Sequence, residues 1–176
     1  KALGGDVLQE IVYNKNPEVL RDIPDTPGNM VFLAADTATA RLIHPYLDIA
    51  IPVYATSQLF NGNTDMLTNY DLNNTRFVDM PWLLQPEHPA VMMYPRPEQT
   101  LEPNQERLYA LGIDAFRLLQ LMINNAYRTD LPMDGVTGQI SLSSNHHFQR
   151  KAIPAQIKQG RGQPLDPKQL AVPLAP

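Results

Sequence analysis

The sequence predicts an α/β lobe, a mostly parallel sheet flanked by helices. Two short apolar runs, Met30 to Ala34 (MVFLA) and Ile51 to Ala55 (IPVYA), are bounded by polar residues, the pattern of strands buried on both faces. The elements then follow in the order strand, helix, strand, loop, strand, helix and hairpin, which suits a parallel sheet with crossovers. Finally, 17 prolines in 176 residues, about twice the ordinary share, argue against a long-helix bundle. They favour short elements joined by rigid loops.

Asp6 to Tyr13 (DVLQEIVY) follows Gly4-Gly5 and is rich in apolar and β-branched residues, so it is predicted as the first strand. Asn14 to Asn29 holds three prolines and leaves room for one helical turn, around Glu18 to Asp22. After the MVFLA strand, Asp36 or Thr37 caps a helix running to about Asp48, and Pro45 predicts a kink or early end near Ile43. IPVYA is the next strand, Asn61-Gly62-Asn63 a turn, and Arg76 to Met80 a short strand.

Pro81 to Pro103 contains six prolines, both ends included, and reads as an extended, ordered loop. A helix is then predicted from Gln105 to Tyr127, about 34 Å long at about 1.5 Å per residue. Leu108, Leu111, Ala115, Leu119, Met122, Ile123 and Ala126 recur on it at three- and four-residue spacing, the mark of a core-facing stripe. Gln139 to Leu142 and Phe148 to Ile157 are expected to pair across Ser143-Ser144-Asn145-His146. The lobe is assigned to residues 1–160, and residues 161–176, with four prolines, to a peripheral tail.

A composition of 43% hydrophobic and 18% charged residues excludes a disordered chain. The net charge of −4 argues against a broad nucleic-acid surface. That charge is uneven: five bases and one acid fall between His146 and Pro176, on an otherwise acidic body. Such an end either meets an acidic partner or is a solvated face. Without cysteine there is no disulfide and no thiolate nucleophile. No apolar run approaches the roughly 20 residues needed to span a bilayer. Lys1 to Gly5 reads as mid-domain sequence, so the chain is expected to be a fragment of a larger protein.

Ligands of parallel sheets lie beyond the carboxyl ends of the strands. Here those ends carry Asp36, Thr56, Ser57 and Asp79, which are the crevice candidates. Asp36 and Asp79 could form a carboxylate pair if their strands were neighbours; the preferred reading is a helix cap and a strand-end turn. Thr56 and Ser57 could grip a small ligand or cap the turn they start. No Arg-plus-Asp clamp for an amino-acid ligand is evident at these ends. Trp82 is either an exposed partner anchor or a core plug. His146-His147 lacks nearby acids to complete a metal site, and His44 and His88 read as surface or capping residues. Nucleophile-elbow, P-loop and dinucleotide motifs are missing, so no catalytic residue, metal or cofactor is assigned.

Several runs resemble one family in chain order: F-L-A-A-D-T-A-T-A-R-L-I-H-P (Phe32 to Pro45), I-P-V-Y-A-T-S-Q (Ile51 to Gln58) and D-L-N-N-T-R-F-V-D-M-P-W-L-L (Asp71 to Leu84). R-L-Y-A-L-G-I-D-A (Arg107 to Ala115) and G-V-T-G-Q-I-S-L (Gly135 to Leu142) continue the match. The chain thus resembles the LpoA family, outer-membrane lipoprotein activators of penicillin-binding proteins. The resemblance implies a type I periplasmic-binding-protein-like fold, of which this chain would be the second lobe plus a crossing helix. It further implies a non-enzymatic protein on the periplasmic side of the outer membrane, lipid-anchored through a part not in this chain. Its partner would be a class A penicillin-binding protein, a bifunctional peptidoglycan synthase. From another class, a periplasmic solute-binding protein holding a small ligand between two lobes is the alternative. Asn14 to Asn29 departs from the fold in lacking room for a full helix between its first two strands.

Overall fold

The computed structural model describes residues 6–166 apart from 22, 25, 64, 65 and 129. Its large sheet begins with β1 (Val31–Leu33), β2 (Val53–Ala55) and β3 (Arg76–Asp79), all parallel. β7 (Ile153–Lys158) then joins β3 antiparallel, and β8 (Arg161–Pro164) joins β7. A smaller antiparallel sheet holds β4 (Met133–Gly135), β5 (Gly138–Leu142) and β6 (Phe148–Lys151). The mixed α/β class expected from the sequence is therefore present, with two antiparallel strands added beside the parallel ones.

Side-chain alternation decides which face of the large sheet is core. Leu33, Val53, Ala55, Phe77, Ala155 and Ile157 point to one side and pack with Leu59, Phe60 and Leu72. The Phe60 and Phe77 rings meet at 4.8 Å between centroids. Each large apolar side chain buried there stabilises the fold by about 1.5–3 kcal/mol. On the opposite face Phe32 and Val78 are exposed. Arg76 donates to the Tyr54 hydroxyl across that face, at 2.7 Å.

α1 (Thr37–Ile43) adds Ala40 and Ile43 to the core and gives way to a 3-10 turn at His44–Tyr46, the early end that Pro45 predicts. α2 (Met66–Tyr70), α3 (Pro81–Leu84) and α4 (Pro89–Met92) are short, the last two opened by proline at their first position. α5 (Pro103–Ile123) is the long helix. Pro103 opens it, and the Gln105 side chain accepts from the Glu102 amide at 3.0 Å.

Several expectations are corrected. Residues 6–13 form no strand: Ile11 and Tyr13 lean on the core while Val7, Leu8 and Val12 are exposed. Strand composition needs a paired neighbour to complete the ladder, and this segment has none among the described residues. The single turn expected near Glu18 is the 3-10 helix Pro17–Leu20, and Asp22 lies outside the described residues. Phe148 to Ile157 is two strands in two sheets, broken at Ala152. Nor does a peripheral tail begin at Arg161, because Arg161–Pro164 is β8 and Leu165 is buried. Residues 167–176 of that tail lie outside the described residues. Gly160 makes the β7–β8 turn at φ +70°, pressed against the Met66 carbonyl where a side chain has no room.

The largest correction concerns α5. Leu108, Leu111, Leu119, Met122 and Ile123, expected to be core, are exposed; Leu108 is 67% accessible. The buried side is the opposite one, carrying Ala110 and Asp114 with half-buried Glu106, Arg107, Ile113 and Arg117.

Candidate functional site at the strand ends

Beyond the carboxyl ends of β1, β2 and β3, the side chains of Asp36, Thr56 and Asp79 hold partners within the chain. Asp36 is the N-cap of α1, accepting from the Thr39 amide at 2.8 Å. That bond holds its carboxyl below the usual carboxylate value. Next to it, the buried Thr37 hydroxyl donates to the Leu59 carbonyl at 2.8 Å, tying the end of β1 to the segment after β2. Thr56 caps the 3-10 turn Ser57–Leu59 by accepting from the Gln58 amide. Asp79 ends β3 and accepts from the Met80 amide at 2.9 Å. Asp36 and Asp79 form no carboxylate pair, because β2 stands between their strands.

Arg107 of α5 fills this position. Its Nε and Nη2 donate to the two Asp79 oxygens at 3.1 and 2.6 Å. Nη2 also reaches the carbonyls of Ser57 and Phe60 at 2.9 and 2.8 Å, and Nη1 the Asn104 side chain. The pair is sequestered, with the Asp79 side chain 1% and Arg107 11% accessible. The structure thus gathers Ser57 and Asp79 around one guanidinium and leaves Asp36 and Thr56 as caps. An Arg-plus-Asp pair does stand at the strand ends, correcting the sequence reading, but its charges are spent on each other. The signal for Arg107 was its place on α5 away from the apolar stripe.

Two further clusters lock the same face of α5. Trp82 is fully buried, which makes it core and leaves no exposed anchor. Its indole N–H donates to Glu106, and the Arg96 guanidinium stacks 3.9 Å from its ring centroid. Arg96 also donates to the Trp82 carbonyl at 2.7 Å. Lower on the helix, buried Asp114 accepts from the Thr137 amide and hydroxyl (2.8 and 2.7 Å), the Val136 amide and Arg117. Gly135 permits this approach, since a Cβ there would fall 2.5 Å from the Asp114 carboxylate. Sequence reasoning missed Asp114, whose only signal was an acid on the polar side of a helix.

The histidines divide. His88 caps α4, accepting from the Ala90 amide through Nδ1, and its Nε2 lies 3.5 Å from Asp134. His44 is half-buried beside α1, and burial lowers its pKa against the opposing pull of Asp71. His146 turns the β5–β6 hairpin at φ +62°, exposed beside His147.

Comparison with known proteins adds a family. The model described as "LppC putative lipoprotein" matches residues 20–160. Curated relatives include the penicillin-binding protein activator LpoA of Aliivibrio fischeri, 26% identical over 153 residues that cover 83% of this chain and 24% of the relative. LpoA of Vibrio cholerae is 30% identical over 147 residues, 77% of this chain and 22% of that protein. The chain thus spans about a quarter of the relatives' length or less. Among solved structures, one described as "a putative branched-chain amino acid ABC transporter" from Chromobacterium violaceum is 42% identical. It aligns at TM-score 0.61 over 73% of this chain and 42% of its own. The LpoA C-domain from Haemophilus influenzae, described as a regulator of PBP1A, shares the fold at TM-score 0.63 and 21% identity. That alignment covers 88% of this chain and 50% of the C-domain.

Proposed function

Because the chain belongs to the LppC lipoprotein family, we propose that it is part of a non-enzymatic envelope lipoprotein that binds and activates a class A penicillin-binding protein. The relatives' names support the role. The observation that carries it here is Arg107, which closes the strand ends against Asp79, Ser57 and Phe60 and leaves them little to offer a small ligand. In this reading the parent protein sits on the periplasmic side of the outer membrane by a lipid anchor. Activation is a population shift: the chain binds the working form of the synthase better than the idle form. A tenfold shift needs about 1.4 kcal/mol of differential affinity.

The name of the Chromobacterium structure favours a second reading, a solute-binding protein. Against it, Asp36, Thr56 and Asp79 already hold internal partners and have little left to offer a ligand. The test is peptidoglycan synthesis by a purified class A penicillin-binding protein with increasing amounts of the chain. A rate that rises and saturates supports activation, and a flat rate at saturating chain overturns it.

A further inference from the structure

Among the described residues the outer edge of β6 has no strand beside it. β6 pairs with β5 on one side, and all four of its residues are exposed. The hairpin ladder starts with the Ser143 amide donating to the His147 carbonyl at 2.9 Å. Antiparallel pairs alternate between bonded and unbonded. Gln149 and Lys151 therefore bond to β5, while Phe148 and Arg150 aim their amides and carbonyls outward. No hydrogen bond between those outward groups and another described element is present.

The charge around this edge is one-sided. Between Asp134 and Asp166 the chain carries Arg150, Lys151, Lys158 and Arg161 and no acid. Asp134 is the acid of the small sheet; it shares a row with Gln139 and Lys151 but lies two strands from Lys151 and faces His88. Arg150 and Lys151 have no acidic partner among the described residues. β6 runs into β7 of the large sheet after one residue, so the edge is held by the body of the lobe.

Resting on the activator reading, we infer that β6 is the docking edge for an extended acidic segment of the penicillin-binding protein. The segment adds a strand to β6, bonds to Phe148 and Arg150 through its main chain, and sets its carboxylates against Arg150 and Lys151. Main-chain bonds supply adhesion, and the charges supply register and choice of partner.

The test is a binding titration of the chain against a purified class A penicillin-binding protein, with a melting curve for every variant. Arg150→Glu with Lys151→Glu is expected to weaken binding about tenfold or more, and added salt to weaken the wild type. Phe148→Pro removes one outward amide at a position where an edge strand tolerates proline, and should bind about fivefold more weakly than Phe148→Ala. Lys158→Glu, at the far β7–β8 turn, should change affinity less than about twofold. Lys151→Glu alone keeps the test open where the double variant fails to fold. Wild-type binding that survives both charge reversal and Phe148→Pro overturns the docking edge and leaves the activator reading standing. Failure of the wild type to bind, beside a full-length LpoA relative that does, overturns both for this chain.

Discussion

The two sides of α5 behave in opposite ways. One side, read from the sequence as the core stripe, carries Leu108, Leu111, Leu119 and Met122 and faces solvent. The other carries Glu106, Arg107, Asp114 and Arg117, and it holds the lobe together through Trp82, Asp79 and the turn at Val136–Thr137. Periodicity located the helix but not its buried side. The polar side is internal because each charge on it meets a fixed partner, and such partners are supplied by distant segments that no local pattern reveals.

The sharpest way to break the contrast is to empty the polar side. Arg107→Ala or Asp79→Ala leaves a buried charge without its partner and should cost about 3–5 kcal/mol in urea unfolding. The double replacement Arg107→Met with Asp79→Leu should recover part of that loss, since no lone charge remains. Trp82→Ala should cost about 3–5 kcal/mol through the cavity it leaves. An unchanged midpoint for any of the single variants would contradict the assigned burial.

Asp114→Ala comes next, stranding the Val136 and Thr137 amides, with an expected loss of about 2–3 kcal/mol by the same measurement. Leu111→Gln or Leu119→Gln, on the apolar side, should move stability by no more than about 0.5 kcal/mol. A loss as large as that of Asp114→Ala would mean the stripe is core after all.

The smallest expected effect is one of pH. Burial lowers the His44 pKa, so the unfolded chain takes up a proton at higher pH than the folded one. The contribution of His44 is therefore full above its ordinary value of 6.5 and declines as pH falls below it. His44→Gln should flatten the melting temperature between about pH 7 and pH 5. An unchanged slope would remove His44 as the cause.

Much of this was legible from local rules. The runs at Val31–Leu33 and Val53–Ala55 are strands, Asp36 is a cap, and the helix after it stops where Pro45 demands. What was not legible depended on partners. Residues 6–13 have strand composition and no ladder among the described residues, while β7 joins the large sheet by pairing with β3 across a long separation in sequence and β8 then pairs with β7. Of the crevice residues, Asp36 and Asp79 were each placed at a strand end correctly, but the residue that joins Asp79 to Ser57 comes from α5. Trp82 was open between anchor and core in the sequence, and its full burial decides for core.

Arg107 of the chain itself occupies the strand ends, and in the proposed reading the lobe docks a protein and does not clasp a solute there. The most direct test of this claim is the melting temperature of the chain titrated with branched-chain amino acids. No rise is expected at any concentration. A rise approaching about 2.7 kcal/mol of stabilisation at a hundredfold excess over Kd, abolished by Asp79→Asn, would contradict the claim and make the strand ends a ligand site.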